Sequence, residues 1–127
     1  MLKLTKPIAF IDLETTGVSI STDRIVEIAI IKILPDESRV VKRKIINPQM
    51  PIPQSSTDIH GITNEMVKDA PTFKEVANEV KVFIDRCDLG GYNSNRFDIP
   101  VLMEEFLRAG LTIDLSTRKM VDVQHIF

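Results

Sequence analysis

Ile8-Ala9-Phe10-Ile11-Asp12-Leu13-Glu14-Thr15-Thr16-Gly17 places two carboxylates, separated by one residue, inside an apolar run. Side chains alternate along a strand, so Asp12 and Glu14 share one face while Ile11 and Leu13 pack against the other. Two acids on one rigid strand repel each other and lose hydration at the rim of a core, and a cation that neutralises both offsets that cost. For an isolated Asp-x-Glu, the simpler reading is a strand that runs out into solvent at Asp12. The small-residue turn Thr15-Thr16-Gly17 shifts the weight toward a site, because it offers hydroxyls and backbone N–H groups where a phosphate or sugar could approach.

The composition is compatible with such a site without demanding it. The chain has 127 residues, 43% of them apolar, and suits one α/β domain with its own core. A net charge of −2 gives no global basic field, so attraction for a polyanion has to be local, through a metal or a few placed cations. Cys87 is the only cysteine and cannot form an internal disulfide, and no N-terminal stretch has the length and apolarity of a signal. These features predict a cytoplasmic, reducing setting. No apolar run reaches the ~18 residues a membrane span requires.

Outward from the acids, the pattern predicts strands over residues 8–14, 24–34 and 38–46, joined as a meander with a turn at Pro35-Asp36-Glu37. The second is apolar on both faces, which predicts covering layers on either side. Lys42, Arg43 and Lys44 in the third read as a charged edge that resists sheet pairing, with a phosphate-binding patch as the alternative. Residues 47–58, with prolines at 48, 51 and 53, predict an irregular loop. His60 and Gly61 follow, at the mouth of a short helical piece over residues 64–68. Thr72-Phe73-Lys74-Glu75 forms a capping box ahead of an amphipathic helix over residues 73–86.

Gly90 and Gly91 predict a close backbone approach to the sheet. A third acid then appears in Asn93-Ser94-Asn95-Arg96-Phe97-Asp98, where Pro100 in the first turn puts Asp98 at or just before a helix N-terminus, as its cap. That helix ends near Ala109, with Gly110 beyond it. A last strand is predicted over residues 120–123.

Asp-Leu-Glu-Thr-Thr-Gly at 12–17, His-Gly-Ile-Thr at 60–63 and Asn-Ser-Asn-Arg-Phe-Asp at 93–98 resemble, in this order, the motifs of the DEDD 3′→5′ exonucleases, in the DnaQ-like (DEDDh) branch that includes DNA polymerase III epsilon proofreading subunits. The resemblance implies an α/β, ribonuclease H-like fold: a mixed central sheet that opens on an antiparallel three-strand meander and is flanked by helices. It also implies two-metal phosphodiester hydrolysis at the 3′ end of DNA, in proofreading or repair, with Mg²⁺ or Mn²⁺ held by Asp12, Glu14 and Asp98. Asp12 would bridge both ions, Glu14 the nucleophile-side ion, and Asp98 the other. Thr15, Thr16, Gly17, His60, Asn93 and Phe97 would bind the terminal nucleotide of a single-stranded or frayed end, and Arg96 reads as a solvated turn residue. A polymerase subunit is the implied partner.

The chain departs from this family's pattern in one respect. A fourth acid, with a general-base histidine about five residues before it on a further helix, has no counterpart here, because His125 has only two residues after it. Asp122 belongs to the last strand and reads as a strand-end residue. The expectation is therefore a single exonuclease domain over residues 1–127 that lacks the helix of the last motif and is nearly inactive by itself. Such a polypeptide would expose one apolar sheet face and invite self-association. Three other readings stay open. They are a non-catalytic nucleic-acid- or polymerase-binding module with the same fold, an RNA-degrading relative, and a phosphomonoesterase that uses the same acids.

Overall fold

The computed structural model describes residues 5–91 and 96–122. Strands β1 (Ile8–Thr15), β2 (Ile25–Ile33), β3 (Arg39–Ile45), β4 (Asp88–Gly91) and β5 (Met120–Asp122) form one sheet in the order β3-β2-β1-β4-β5. The β1–β2 and β2–β3 pairs are antiparallel, whereas β4 pairs parallel to both β1 and β5, so the sheet is mixed. Helices α1 (Gln54–His60), α2 (Asn64–Val67), α3 (Phe73–Phe83) and α4 (Asp98–Arg108) complete the domain. Among the described residues, no helix is long and apolar enough to cross a membrane.

The expected meander is present, with every strand end within one residue of that predicted. The predicted irregular segment is shorter than expected, because helix begins immediately after Pro53. Proline fixes its own φ and so pre-orders the entry, while Gln54 donates to Asp58 across one turn. His60 is therefore the last residue of α1, and Gly61 follows in the left-handed conformation (φ 77°), where a Cβ would be strained. The capping box of Thr72 and Glu75 starts α3 as expected, although the helix stops at Phe83. The segment that follows leaves α-helical geometry, with Arg86 at φ 60°.

α3 and α4 cover one face of the sheet. Ile11 and Leu13 of β1 and Ile28 and Ile30 of β2 meet Val76, Val80, Leu102 and Phe106 in a single buried cluster. Phe73 and Phe106 pack edge to face, with centroids 5.3 Å apart. The predicted cover for the second face of β2 is not found among the described residues, where Ile31 and its cross-strand partner Val41 are both exposed.

A bulge decides where the second, smaller core lies. Glu14 pairs with Glu27 but Thr15 pairs with Ile25, so Val26 is the extra residue. One inserted residue reverses the facing of everything beyond it. Ile25 thereby joins the main core, and Val26 packs with Ile52, Ile62 and Val67 of α2 in a separate cluster. Its members Ile52 and Ile62 flank α1, which is tied to the end of β1 by Ser56 and His60 on the Thr16 and Thr15 carbonyls, at 2.6 and 3.0 Å.

A buried ion cluster ties α4 to the start of β2. Glu105, only 1% exposed, accepts from Arg24 Nε at 2.9 Å and from the Ile25 N–H at 3.0 Å, with Arg24 Nη2 at 2.8 Å and Arg108 Nη1 at 3.5 Å. Glu105→Ala would strand a guanidinium and an amide in a water-poor site, and should cost about 3 to 5 kcal/mol. Chemical denaturation would measure it. A loss below about 1 kcal/mol would show that water replaces the carboxylate.

Candidate active site

The acids come together because β1 outruns its parallel neighbour. β4 pairs with β1 only from Ile8 to Phe10, so the later N–H groups on that edge of β1 have no strand partner. The N-terminus of α4 fills this gap, and Asp98 Oδ2 accepts the Leu13 N–H at 3.4 Å. The third carboxylate is thus moored to the backbone between Asp12 and Glu14. The expectation that Asp98 caps α4 is not met. Phe97 holds the cap position with no side-chain hydrogen bond, and Asp98, the first helical residue, turns its carboxylate to β1 instead.

The resulting electrostatics are those of crowded anions. Burial pushes the Asp98 carboxyl up to about 6 despite the opposing Leu13 N–H, and the charges on Asp12 and Glu14 add to the rise. Burial also raises the Glu14 carboxyl, followed by the charge on Asp12, while His60 opposes. Glu27, the cross-strand partner of Glu14, adds a fourth negative charge. Asp12, Glu14 and Asp98 offer only carboxylate oxygens, a donor type that suits hard divalent cations. Among the described residues, no three acidic, histidine or cysteine side chains stand close enough to cage an ion in advance.

Beside Glu14 lies a slot of about 160 Å³ between the turn after β1 and α1. Its apolar rims, Val18 and Ile59, are 90% and 86% exposed. Thr15, Gly17 and His60 are among the residues that line it. The polar atoms of His60, however, are already engaged. Nε2 lies 3.0 Å from the Thr15 carbonyl and Nδ1 accepts the Ile62 N–H at 3.1 Å, an arrangement that assigns the proton to Nε2. Thr16 is fully buried, donating to Asp23 at 2.8 Å and accepting from the Arg24 N–H at 3.0 Å, so its side chain faces inward. The absent Cβ of Gly17 leaves room for Asp23, whose carboxylate would stand 2.5 Å from it. Phe97 packs against the main core, and Arg96 is exposed. Asn93 and His125 lie outside the described residues.

Val18, Ile59 and Ser56, which donates to the Thr16 carbonyl at 2.6 Å, escape sequence reasoning. Each lies in a stretch without periodicity, where only contact with the turn reveals its place. A signal did exist for Glu27, an acid in an otherwise apolar strand.

The mixed sheet in this order, with α3 and α4 against one face, defines a ribonuclease H-like scaffold. The exonuclease family RNase_T matches residues 9–125, and the chain belongs to that family. It is 36% identical over 117 residues to a DNA polymerase III PolC-type of Caldanaerobacter subterraneus subsp. tengcongensis, covering 91% of this chain and 8% of that protein. It is 37% identical over 107 residues to a DNA polymerase III subunit epsilon-like protein of Rhodobacter capsulatus, covering 81% of this chain and 15% of that protein. The fold matches E. coli Exonuclease I in complex with a dT13 oligonucleotide, with a TM-score of 0.84 at 19% identity, covering 96% of this chain and 29% of that one. The chain therefore spans less than a third of each of these proteins. Exonucleases of this family generally work with divalent metal ions.

Proposed function

We propose that residues 1–127 belong to an enzyme that removes nucleotides from the 3′ end of a single-stranded or frayed DNA strand, in cytoplasmic proofreading or repair beside a DNA polymerase subunit. The observation that carries this reading is the mooring of Asp98 on β1 between Asp12 and Glu14, next to an open apolar slot. Asp12, Glu14 and Asp98 would hold two Mg²⁺ or Mn²⁺ ions, since the donors are hard oxygens and the carboxyls are destabilised without a counter-charge. When bound, the metals supply an activated water and charge stabilisation for the leaving 3′ oxygen. Val18 and Ile59 would hold the terminal base between apolar surfaces, and Thr15 would face its sugar. His60 acts on the site through the Thr15 carbonyl and keeps the end of β1 in place. By this reading, the fourth acid and the general base come from outside residues 1–127, so the test uses the full-length gene product.

The test is digestion of a 5′-labelled single-stranded oligonucleotide with Mn²⁺. A ladder shortening from the 3′ end, abolished by EDTA, is expected. Absence of a ladder, with retained strand binding, would instead assign a non-catalytic nucleic-acid-binding module. Turnover of mononucleotides alone would assign a phosphomonoesterase.

A further inference from the structure

We propose that Asp23 is a positioning residue that holds Val18 at the rim of the slot beside Glu14, so that the 3′-terminal nucleotide meets a preformed grip; this role rests on the exonuclease reading above. The link between β1 and β2 runs from Thr16 to Arg24. A hairpin between antiparallel strands ordinarily closes in about two to five residues, so this link is longer than the connection requires. The extra length is organised around one carboxylate. Asp23 Oδ1 accepts the Thr16 hydroxyl and Oδ2 the Ser19 N–H, each at 2.8 Å. Thr16 and Ser19 flank Gly17-Val18, so a single side chain fixes both ends of the segment that carries Val18.

Gly17 completes the arrangement. A Cβ there would stand 2.5 Å from Asp23 Oδ2, so the carboxylate fits against this backbone only because glycine leaves the space. Further contacts tie the link to the rest of the domain. The Thr16 N–H donates to the Arg24 carbonyl at 2.9 Å, and the Arg24 N–H returns to Thr16 Oγ1 at 3.0 Å, which closes the base of the link. From α4, Arg108 donates to the Ser21 carbonyl at 2.7 Å, and Ile20 packs against the main core.

The two apolar residues of this braced link have opposite fates. Ile20 is turned inward, while Val18 is left 90% exposed at the slot that Ile59 also lines. With both flanks held, Val18 cannot fold back to cover its own surface, and a base entering the slot supplies that cover. A loose turn would lose conformational entropy each time a nucleotide entered, whereas here the loss is incurred once, on folding. Asp23 is not among the residues that line the slot, so its influence passes through Val18.

The experiment is a double-mutant cycle in the full-length gene product. It measures kcat and KM for release of the 3′-terminal nucleotide from a 5′-labelled dT oligonucleotide at saturating Mn²⁺. Asp23→Ala and Val18→Ala are each expected to raise KM about tenfold with kcat within about twofold of wild type, because both weaken binding and leave the acids in place. The double variant should be no worse than either single one, since the carboxylate acts through the valine. Asp23→Asn, which keeps an acceptor for the Ser19 N–H, should recover most of the affinity. Gly17→Ala, whose methyl would displace the carboxylate, should reproduce the rise in KM and takes the place of Asp23→Ala if that variant fails to fold. Additive effects in the double variant, or a fall in kcat as large as the rise in KM, overturn the proposal. A wild type that releases no nucleotide would instead take down the exonuclease reading itself, and this inference with it.

Discussion

Asp12→Ala in the full-length gene product is expected to lower kcat/KM for 3′-end digestion by about a thousandfold or more, some 4 kcal/mol of transition-state stabilisation. Asp12 stands at the meeting point of the two other carboxylates: its charge raises the pKa of both Glu14 and Asp98. Its own side chain is exposed and makes no hydrogen bond among the described residues, so the fold does not depend on it. The loss should therefore be one of rate and metal affinity, with the melting temperature unchanged or slightly raised. Single-turnover digestion at saturating Mn²⁺, alongside thermal unfolding, separates the two. A variant that keeps more than about a tenth of wild-type activity would remove Asp12 from the metal site and break the assignment of the first motif.

Asp98→Asn should trade function for stability. Asparagine keeps an oxygen to accept the Leu13 N–H but carries no charge into the crowded site. A shift from the ordinary carboxylate value to about 6 corresponds to about 3 kcal/mol of linkage, and solvent screening of this half-buried group reduces it to about 1 kcal/mol. The sign follows from proton binding. A raised carboxyl pKa means that the folded state holds the proton more tightly, so the wild-type contribution is most favourable in acid. It is lost as pH rises from about 4 to about 6.

Without metal at pH 7.5, Asp98→Asn should thus be about 1 kcal/mol more stable than wild type, and the gain should fade toward pH 4. Added Mn²⁺ should reverse the order, because binding to the folded state stabilises the protein that retains its ligand. Digestion should fall at least a hundredfold. Denaturant melts at both pH values, with and without Mn²⁺, test every arm. Equal stabilities throughout would mean that solvent already neutralises the site.

The positions of Asp12 and Glu14 on one face, the meander, the capping box at Thr72 and the break at Gly110 were legible along the chain. Each is local: alternation, cap chemistry and proline geometry act over a few residues. The resemblance of three short motifs supplied the family before any contact was known. The fate of individual side chains was different. Thr16 and His60 carry the composition of ligand contacts, yet one is buried on Asp23 and the other uses both ring nitrogens within the chain. Lys42, Arg43 and Lys44 look alike in sequence, and only alternation combined with the position of α3 sends two of them to Glu79 and one to the acid face.

The sequence by itself determined the strands of the meander, the start of α3 and which residue types could hold a metal, because those depend on near neighbours, whereas α1 went unread in a proline-rich stretch. The tertiary structure alone decided three things: the register shift that frees Val26 for a second core, the short pairing of β4 that leaves the Leu13 N–H to Asp98, and the pairing of Arg43 on β3 with Glu27 on β2. Each joins residues far apart in the chain, where the controlling quantity is which hydrogen-bond partner or packing surface arrives. No local propensity encodes that choice.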